Sequence, residues 1–232
     1  MNKILFRIKK FWHYIWNDDS ATSWVLSIII AFLIIRFIFY PGIGLILGTS
    51  HPVVAVVSDS MDHSMTKECS YGDCDYQLCG NTYVEKQRTD FDLYWQECGE
   101  FYRDLDINKE EFSDFPFSNG FKKGDILVLW GPDTDPQVGD VIVFWSGEPY
   151  PIIHRLVEKD GVYHTKGDHN ADFIYKEIDG RVILDERNVQ PEQLVGKAVF
   201  RIPYLGYVKI LFVDFFQWIG FGKLLQWTGI LR

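Results

Sequence analysis

Cysteine is scarce in this chain of 232 residues, and positive charge is outnumbered. The four cysteines, Cys69, Cys74, Cys79 and Cys98, all fall within one stretch of 30 residues, and none forms the tight Cys-x-x-Cys knuckle of structural zinc sites. Lys and Arg number 23 against 32 Asp and Glu, a formal charge of −9. The body of the chain carries no basic stripe to neutralise phosphates, which excludes a nucleic-acid-binding role. The acid is local: residues 61–119 hold 14 Asp or Glu and 5 Lys or Arg, which is the whole imbalance.

Against these absences stands one apolar stretch of membrane length. Ser20 to Tyr40 is 21 residues, which as a helix reaches about 30 Å, the thickness of a bilayer's hydrocarbon. Asp18, Asp19 and Ser20 can cap its start, and Pro41-Gly42 is expected to stop it. A charge at mid-bilayer costs roughly 2.5–3.5 kcal/mol, but Arg36 lies about one turn from this expected end and can snorkel outward. The stretch lacks the small-x-small exit of a cleaved leader, so it reads as a retained transmembrane helix. Before it, Lys3, Arg7, Lys9 and Lys10 alternate with Ile4, Ile8, Phe11, Trp12 and Ile15 at helical spacing. This is a basic amphipathic helix for the inner membrane face, which puts the N-terminus in the cytoplasm and Pro41 to about Arg201 on the exterior or lumenal side. The tail Ile210–Leu231 is apolar and aromatic but contains Asp214 and Lys223, as an interfacial helix or a second span would.

On the exported side, four clustered cysteines read as two disulfides with three possible connectivities, or, alternatively, as a zinc site. Val84, Phe91, Tyr94, Trp95, Cys98, Phe101, Tyr102 and Leu105 repeat at helical spacing. They predict a helix of about 20 residues that carries Cys98 toward a looped Cys69–Cys79 stretch. Beyond this insert, short apolar runs are separated by Gly, Pro, Asp and Asn: Gly124–Trp130, Val141–Trp145, Ile152–Glu158, Gly161–Lys166, Arg181–Leu184 and Leu194–Ile202. They indicate a mostly β, coiled antiparallel fold.

The residues with chemistry stand at the ends of such runs. Val53-Val54-Ala55-Val56-Val57 leads into Ser58-Asp59-Ser60-Met61; Ile152-Ile153 leads into His154-Arg155; and Lys166-Gly167-Asp168-His169-Asn170-Ala171-Asp172 follows. A serine hydroxyl is a poor nucleophile until a base takes its proton. Histidine titrates near neutral pH, and a carboxylate fixes its tautomer and stabilises the imidazolium. These are the parts of a serine hydrolase.

The boxes Ser-x-Ser-Met, apolar-His-Arg and Lys-Gly-Asp-x-Asn, with the Gly-Asp openings at Gly124-Asp125 and Gly139-Asp140 and the run Arg201–Lys209, resemble the signal peptidase I family. The branch resembled is the archaeal and endoplasmic-reticulum one, which uses histidine where most bacterial relatives use lysine. The resemblance covers Trp24–Met61 and Gly124–Lys209 and leaves out the insert. It implies a membrane-bound serine endopeptidase in the cell membrane or the endoplasmic-reticulum membrane, needing neither cofactor nor metal. Its substrates would be preprotein signal peptides, laid as a strand along Val53–Val57, and the translocation channel is a further partner. It implies Ser60 as nucleophile, His154 as base, Asp172 as the triad carboxylate with Asp168 supporting the site, and Ser58 with the Ser60 N–H as the oxyanion hole. Two positions depart from the family: Asp59 replaces a usual glycine, and His63 stands near a usual proline. An extra negative charge at Asp59 would oppose an oxyanion unless it points away or pairs with His63 or His169.

The expected organisation is a basic segment at 1–19, a transmembrane helix at 20–40 and a β catalytic domain at 50–61 and 120–203. A disulfide-stapled helical insert at 62–119 would cap the site and shape substrate access, and a terminal helix would occupy 204–232. Two other readings remain open at this point. One is a non-catalytic exported β-domain presenting the insert to a partner; the other is a Ser-Lys self-cleaving regulatory protease with Lys166 as the nearest candidate base.

Overall fold

In the computed structural model the described residues are 3–70, 73–207 and 211, so the expected helix over Ile210–Leu231 lies outside them, apart from residue 211. Helix α1 (Lys3–Asn17) forms as its spacing predicts. Ser20 caps α2 (Ala21–Ile34) by accepting the Ser23 N–H. The Ser23 and Ser27 hydroxyls both donate to the Ile15 carbonyl at 3.0 Å, which holds the two helices together at this end.

The apolar helix does not stop at Pro41. It passes through a π-helical turn (Ile35–Phe39) into α3 (Tyr40–Leu47) and ends at Gly48, whose φ of 66° is the left-handed conformation glycine adopts freely. Pro41 has no N–H to offer the preceding turn, and the wide turn just before it, where the Tyr40 N–H bonds the Ile35 carbonyl, absorbs the misfit. The result is one run from Ala21 to Leu47, 27 residues of mean hydropathy 2.3, long and apolar enough to cross a membrane. The expected boundary is corrected by seven residues, and Arg36 moves from one turn before the helix end to near its middle. Helical side chains lean toward the N-terminus, which aims Arg36 away from the β body.

Among the described residues eleven strands follow. A six-stranded antiparallel sheet has the order β1 (Val53–Ala55), β5 (Ile126–Trp130), β11 (Leu194–Ile202), β6 (Val141–Phe144), β7 (Ile152–Lys159) and β8 (Tyr163–Lys166). β1 and β8 are therefore its edges. Every residue of β6 is buried, because both faces of the sheet are covered. Val141 and Val143 join Val56, Met61, Phe121 and Leu127 on one side. Ile142 and Phe144 join Leu156, Leu184 and Leu194 on the other. The hairpin β9 (Tyr175–Ile178) and β10 (Arg181–Asp185) stands beside this second core, and β9 was not legible as a strand.

The insert differs from its expected form. Its first half is a three-stranded sheet, β2 (Thr66–Ser70), β3 (Asp73–Leu78) and β4 (Asn81–Tyr83), where a loop was expected. Helix α4 (Phe91–Arg103) has 13 residues, because the Asp90 side chain accepts the Leu93 N–H and starts it after Val84, which is exposed. Helix α5 (Lys109–Asp114) completes the insert. The cysteines form two disulfides, Cys69–Cys74 across the β2–β3 hairpin and Cys79–Cys98 from the sheet to α4. With all four sulfurs so joined, no thiolate is left for the zinc reading. Met65, Leu78, Tyr94, Trp95, Tyr102 and Phe112 give the insert a core of its own, which reaches the main sheet at Val157.

If the apolar helix crosses a bilayer with Arg36 at its centre, Arg36→Leu removes the largest obstacle to insertion. Apparent insertion, measured by glycosylation mapping in microsomes, is expected to improve by roughly 3–4 kcal/mol.

Candidate active site

The tetrapeptide Ile152-Ile153-His154-Arg155 lies on β7, where successive side chains alternate between the two faces of the sheet. His154 and Arg155 therefore face opposite ways. On the His154 side are β10, the residues just after it and the turn following β1. On the Arg155 side is the insert.

The turn following β1 carries Ser60, which is half-buried between exposed Asp59 and buried Met61. Met61 anchors the turn: its side chain fills the core with Val56 and Phe121, its sulfur accepts the Asp168 N–H at 3.4 Å, and its carbonyl accepts the Phe121 N–H at 3.0 Å. The carbonyl of Ser60 accepts the His169 N–H at 2.9 Å, tying the serine turn to the loop after β8. Ser58 Oγ and Ser60 Oγ are hydrogen-bonded at 3.2 Å. Among the described residues the Ser60 N–H has no acceptor, so it is free to donate to a substrate.

Ser58, Ser60 and His154 line one groove of about 370 Å³ whose other walls are mostly apolar, including Val57, Pro151, Ile153, Ile174 and Leu184. Ser60 and His154 share this groove, and among the described residues no hydrogen bond joins their side chains. Gly167 sets their spacing. A Cβ at this residue would stand 2.7 Å from His154 Nε2 and 2.9 Å from the Ser60 carbonyl oxygen, so only glycine lets the loop approach so closely.

His154 is 3% exposed, and its Nδ1 contacts Glu186 Oε1, a fully buried carboxylate just past β10. Asp172, expected to hold this ring, is exposed instead. Its Oδ1 accepts the Phe173 N–H at 2.7 Å and stands 3.5 Å from Arg187 Nη2. The structure thus joins His154 to a carboxylate 32 residues away in sequence, on a segment to which no box of the resemblance pointed. The one sequence signal was a lone glutamate after an apolar strand, too common to single out.

Asp168 is fully buried on the opposite side. Arg155 grips both its oxygens, Nε to Oδ1 at 2.9 Å and Nη2 to Oδ2 at 2.6 Å. Tyr102 donates to Oδ1 and His63 Nε2 meets Oδ2, both at 2.9 Å, while Tyr94 donates to the backbone carbonyl at 3.0 Å. Burial alone would raise this carboxyl, but Arg155 and His63 hold it far below the usual carboxylate range. These contacts make Asp168 the fastening of the loop after β8. His63 stacks on Tyr94 with ring centres 3.6 Å apart, and His169 bonds the Asp62 carbonyl and Thr66 Oγ1, so neither pairs with Asp59.

Lys166, the base of the Ser-Lys reading, is paired across the ladder with Arg155 and so faces the insert. Its Nζ bonds the Gly167 carbonyl at 3.1 Å and lies 4.7 Å from the Phe101 ring centre. Burial pushes its pKa down to about 8. The insert, expected to shape substrate access, contributes none of its described residues to the groove lining; it braces the loop from behind.

A half-buried serine at a strand end, sharing a groove with a buried histidine that is itself backed by a carboxylate, is the constellation used by serine hydrolases. No protein-family model matches the chain. Among curated proteins it is similar to signal peptidase complex catalytic subunits from fungi. It is 37% identical to sec11 of Pyrenophora tritici-repentis over 99 residues, covering 39% of this chain and 55% of the relative. It is 35% identical to SEC11 of Lodderomyces elongisporus over 111 residues (45% and 64%) and 34% identical to SEC11 of Candida albicans over 100 residues (39% and 57%). The chain thus spans between about half and two thirds of the length of the relatives it matches. These similarities agree with the resemblance carried by the Ser-x-Ser-Met, apolar-His-Arg and Lys-Gly-Asp-x-Asn boxes.

Two outcomes follow from this geometry. Gly167→Ala pushes the loop off the imidazole; if the serine and histidine cleave peptides, a displacement of about 1 Å is expected to lower turnover on the order of 10²-fold in a peptide-cleavage assay. Lys166 binds its proton less tightly folded than unfolded, so its contribution to stability rises with pH from about 8 toward the ordinary lysine value and is a constant penalty below. Lys166→Met is expected to raise unfolding free energy by about 1–3 kcal/mol at pH 7 in urea titrations, the gain shrinking as pH approaches about 10.5.

Proposed function

We propose that the chain is a membrane-anchored serine endopeptidase that removes signal peptides from exported preproteins. The observation that carries this reading is the shared groove: Ser58, Ser60 and His154 converge at the end of edge strand β1, next in sequence to the apolar helix. A preprotein whose apolar segment is still in the bilayer meets the groove in extended form and adds to the free edge of β1, its small side chains resting on the apolar walls. The domain division at 1–19, 20–40, 50–61 with 120–203, 62–119 and 204–232 carries over, with the apolar helix extended to residue 47. Two disulfides favour an oxidising compartment, the lumenal or exterior side, with the basic N-terminal helix on the cytoplasmic face. The relatives are named as subunits of a complex, so partner subunits and the translocation channel are expected neighbours.

The chemistry uses this chain's own atoms. Ser60 Oγ attacks the scissile carbonyl carbon as its proton passes to His154 Nε2. The negative oxygen is held by the Ser58 hydroxyl and the Ser60 N–H. When the C–N bond breaks, His154 returns the proton to the leaving amine. Water then repeats the sequence to free Ser60.

Cleavage of a signal-peptide-bearing preprotein by the purified full chain in detergent tests the proposal. Ser60→Ala is expected to abolish cutting, and Ser58→Ala to slow it on the order of 10²–10³-fold without lowering thermal stability. Equal activity of Ser60→Ala and the parent chain would refute the assignment.

A further inference from the structure

We propose that Glu186, and not an aspartate of the Lys-Gly-Asp loop, is the residue that positions His154 for catalysis. This inference rests on the reading of Ser60 and His154 as nucleophile and base, and it departs from what the family resemblance implies.

Three observations carry it. First, Glu186 Oε1 contacts His154 Nδ1 directly, with side-chain exposures of 0% and 4%. No water competes for either group, so the contact decides the ring's tautomer. Second, the carboxylate is held in place independently of the histidine. Its Oε1 also accepts the Thr165 hydroxyl at 3.4 Å, and its Oε2 accepts the Ile174 N–H. The backbone of residue 186 is pinned on both sides, its N–H to the Ile174 carbonyl at 3.1 Å and its carbonyl to the Thr165 N–H at 2.8 Å. Third, both competing aspartates are engaged elsewhere. Asp168 is filled by Arg155, Tyr102 and His63 on the far face of the sheet, and Asp172 is 64% exposed beside Arg187.

The chemistry follows from position. With its proton on Nδ1 and facing Glu186, the imidazole presents the Nε2 lone pair to the groove, where the Ser60 proton must go. When Nε2 takes that proton, the buried carboxylate neutralises the imidazolium across one hydrogen bond. The Nδ1 proton stays on the ring and Glu186 stays ionised, so no proton is lost or gained by the pair. The groove gains from this placement too. Ile174, bonded to Glu186 through its N–H, and Leu184, two residues before it, both line the groove, so the element that orients the base also forms a wall for substrate. Glutamate suits the place because the approach comes from the β9–β10 side, across the sheet face.

The test compares Glu186→Gln, Glu186→Asp and Asp172→Asn in the full-length chain in detergent, with Ser60→Ala alongside. Glu186→Gln is expected to lower kcat on the order of 10³–10⁴-fold with KM nearly unchanged. Glu186→Asp recovers part of the loss, and Asp172→Asn stays within a few-fold of the parent. Full activity in Glu186→Gln, or a larger loss in Asp172→Asn, overturns the proposal. A readout free of turnover keeps it distinct from the reading of function. In histidine-labelled protein the His154 Nδ1 proton is expected to resonate far downfield, to vanish in Glu186→Gln and to persist in Asp172→Asn. Persistence in Glu186→Gln overturns the assignment even if the chain cleaves no preprotein, whereas loss of that signal with unchanged activity in Ser60→Ala sinks the peptidase reading alone.

Discussion

A guanidinium and a carboxylate, both shut away from water, hold the loop beside the candidate site. Arg155 and Asp168 meet through two hydrogen bonds, and every remaining polar atom of the pair has work. Arg155 Nη1 donates to the Pro116 and Gly139 carbonyls and Nη2 to the Phe117 carbonyl, while its plane lies 4.8 Å from the Phe112 ring centre. Such a pair adds little net stability over an apolar replacement, yet removing one partner strands a buried charge at a cost of about 3–5 kcal/mol. What it supplies is placement. β7, the loop after β8 and the insert each contribute to one network, so none can move without uncovering a charge.

The consequence reaches the groove through a single residue step. Asp168 is fixed from behind, and Gly167, its neighbour, presses on His154 Nε2 from the front. Residue 169 then ties back to the Ser60 carbonyl. Three consecutive residues thus carry rigidity from the ion pair to both the hydroxyl and the imidazole. The same division of labour is written into β7, where strand alternation sends His154 to the groove and Arg155 to the support. A box that reads as one motif in sequence has two jobs on two faces.

How much of this was legible depends on how local the cause was. The strands of the main sheet followed from apolar runs and turn residues, and Leu194–Ile202 appeared with its expected bounds. Ser58, Ser60 and His154 were legible because the boxes carrying them are short and contiguous, and the structure gathers them in one groove. The helix end was misread because Pro41 breaks an ordinary helix but not one that widens to a π-turn first. The insert's sheet was hidden because Thr66–Leu78 mixes charge with apolar residues and takes its order from a cross-strand disulfide and a hairpin. Glu186 was hidden for a deeper reason. Its partner is 32 residues away, and pairing at that distance is decided by the fold and leaves no mark on spacing.

The insert poses the remaining structural question: how about sixty residues can follow the Ser60 turn without disturbing it. Its two ends meet at one point, where the Met61 carbonyl accepts the Phe121 N–H. Gly120 makes that closure possible, since at φ 64° a Cβ there would stand 2.3 Å from the Met61 carbonyl oxygen and 2.6 Å from the His63 ring. To the main sheet the insert is then a long loop closed at its base, and the entropy of closing such a loop grows only slowly with its length. Its acidic residues are mostly exposed, while His63, Tyr94 and Tyr102 turn inward to Asp168. The departure at His63 therefore has a structural account: the ring stacks on Tyr94 and completes the shell around a carboxylate. Asp59 needs no such partner, because it stands exposed on the outside of the serine turn. The outer face of the insert is free to vary in charge and shape so long as its closure at Met61 and its grip on Asp168 persist, since none of its described residues lines the groove.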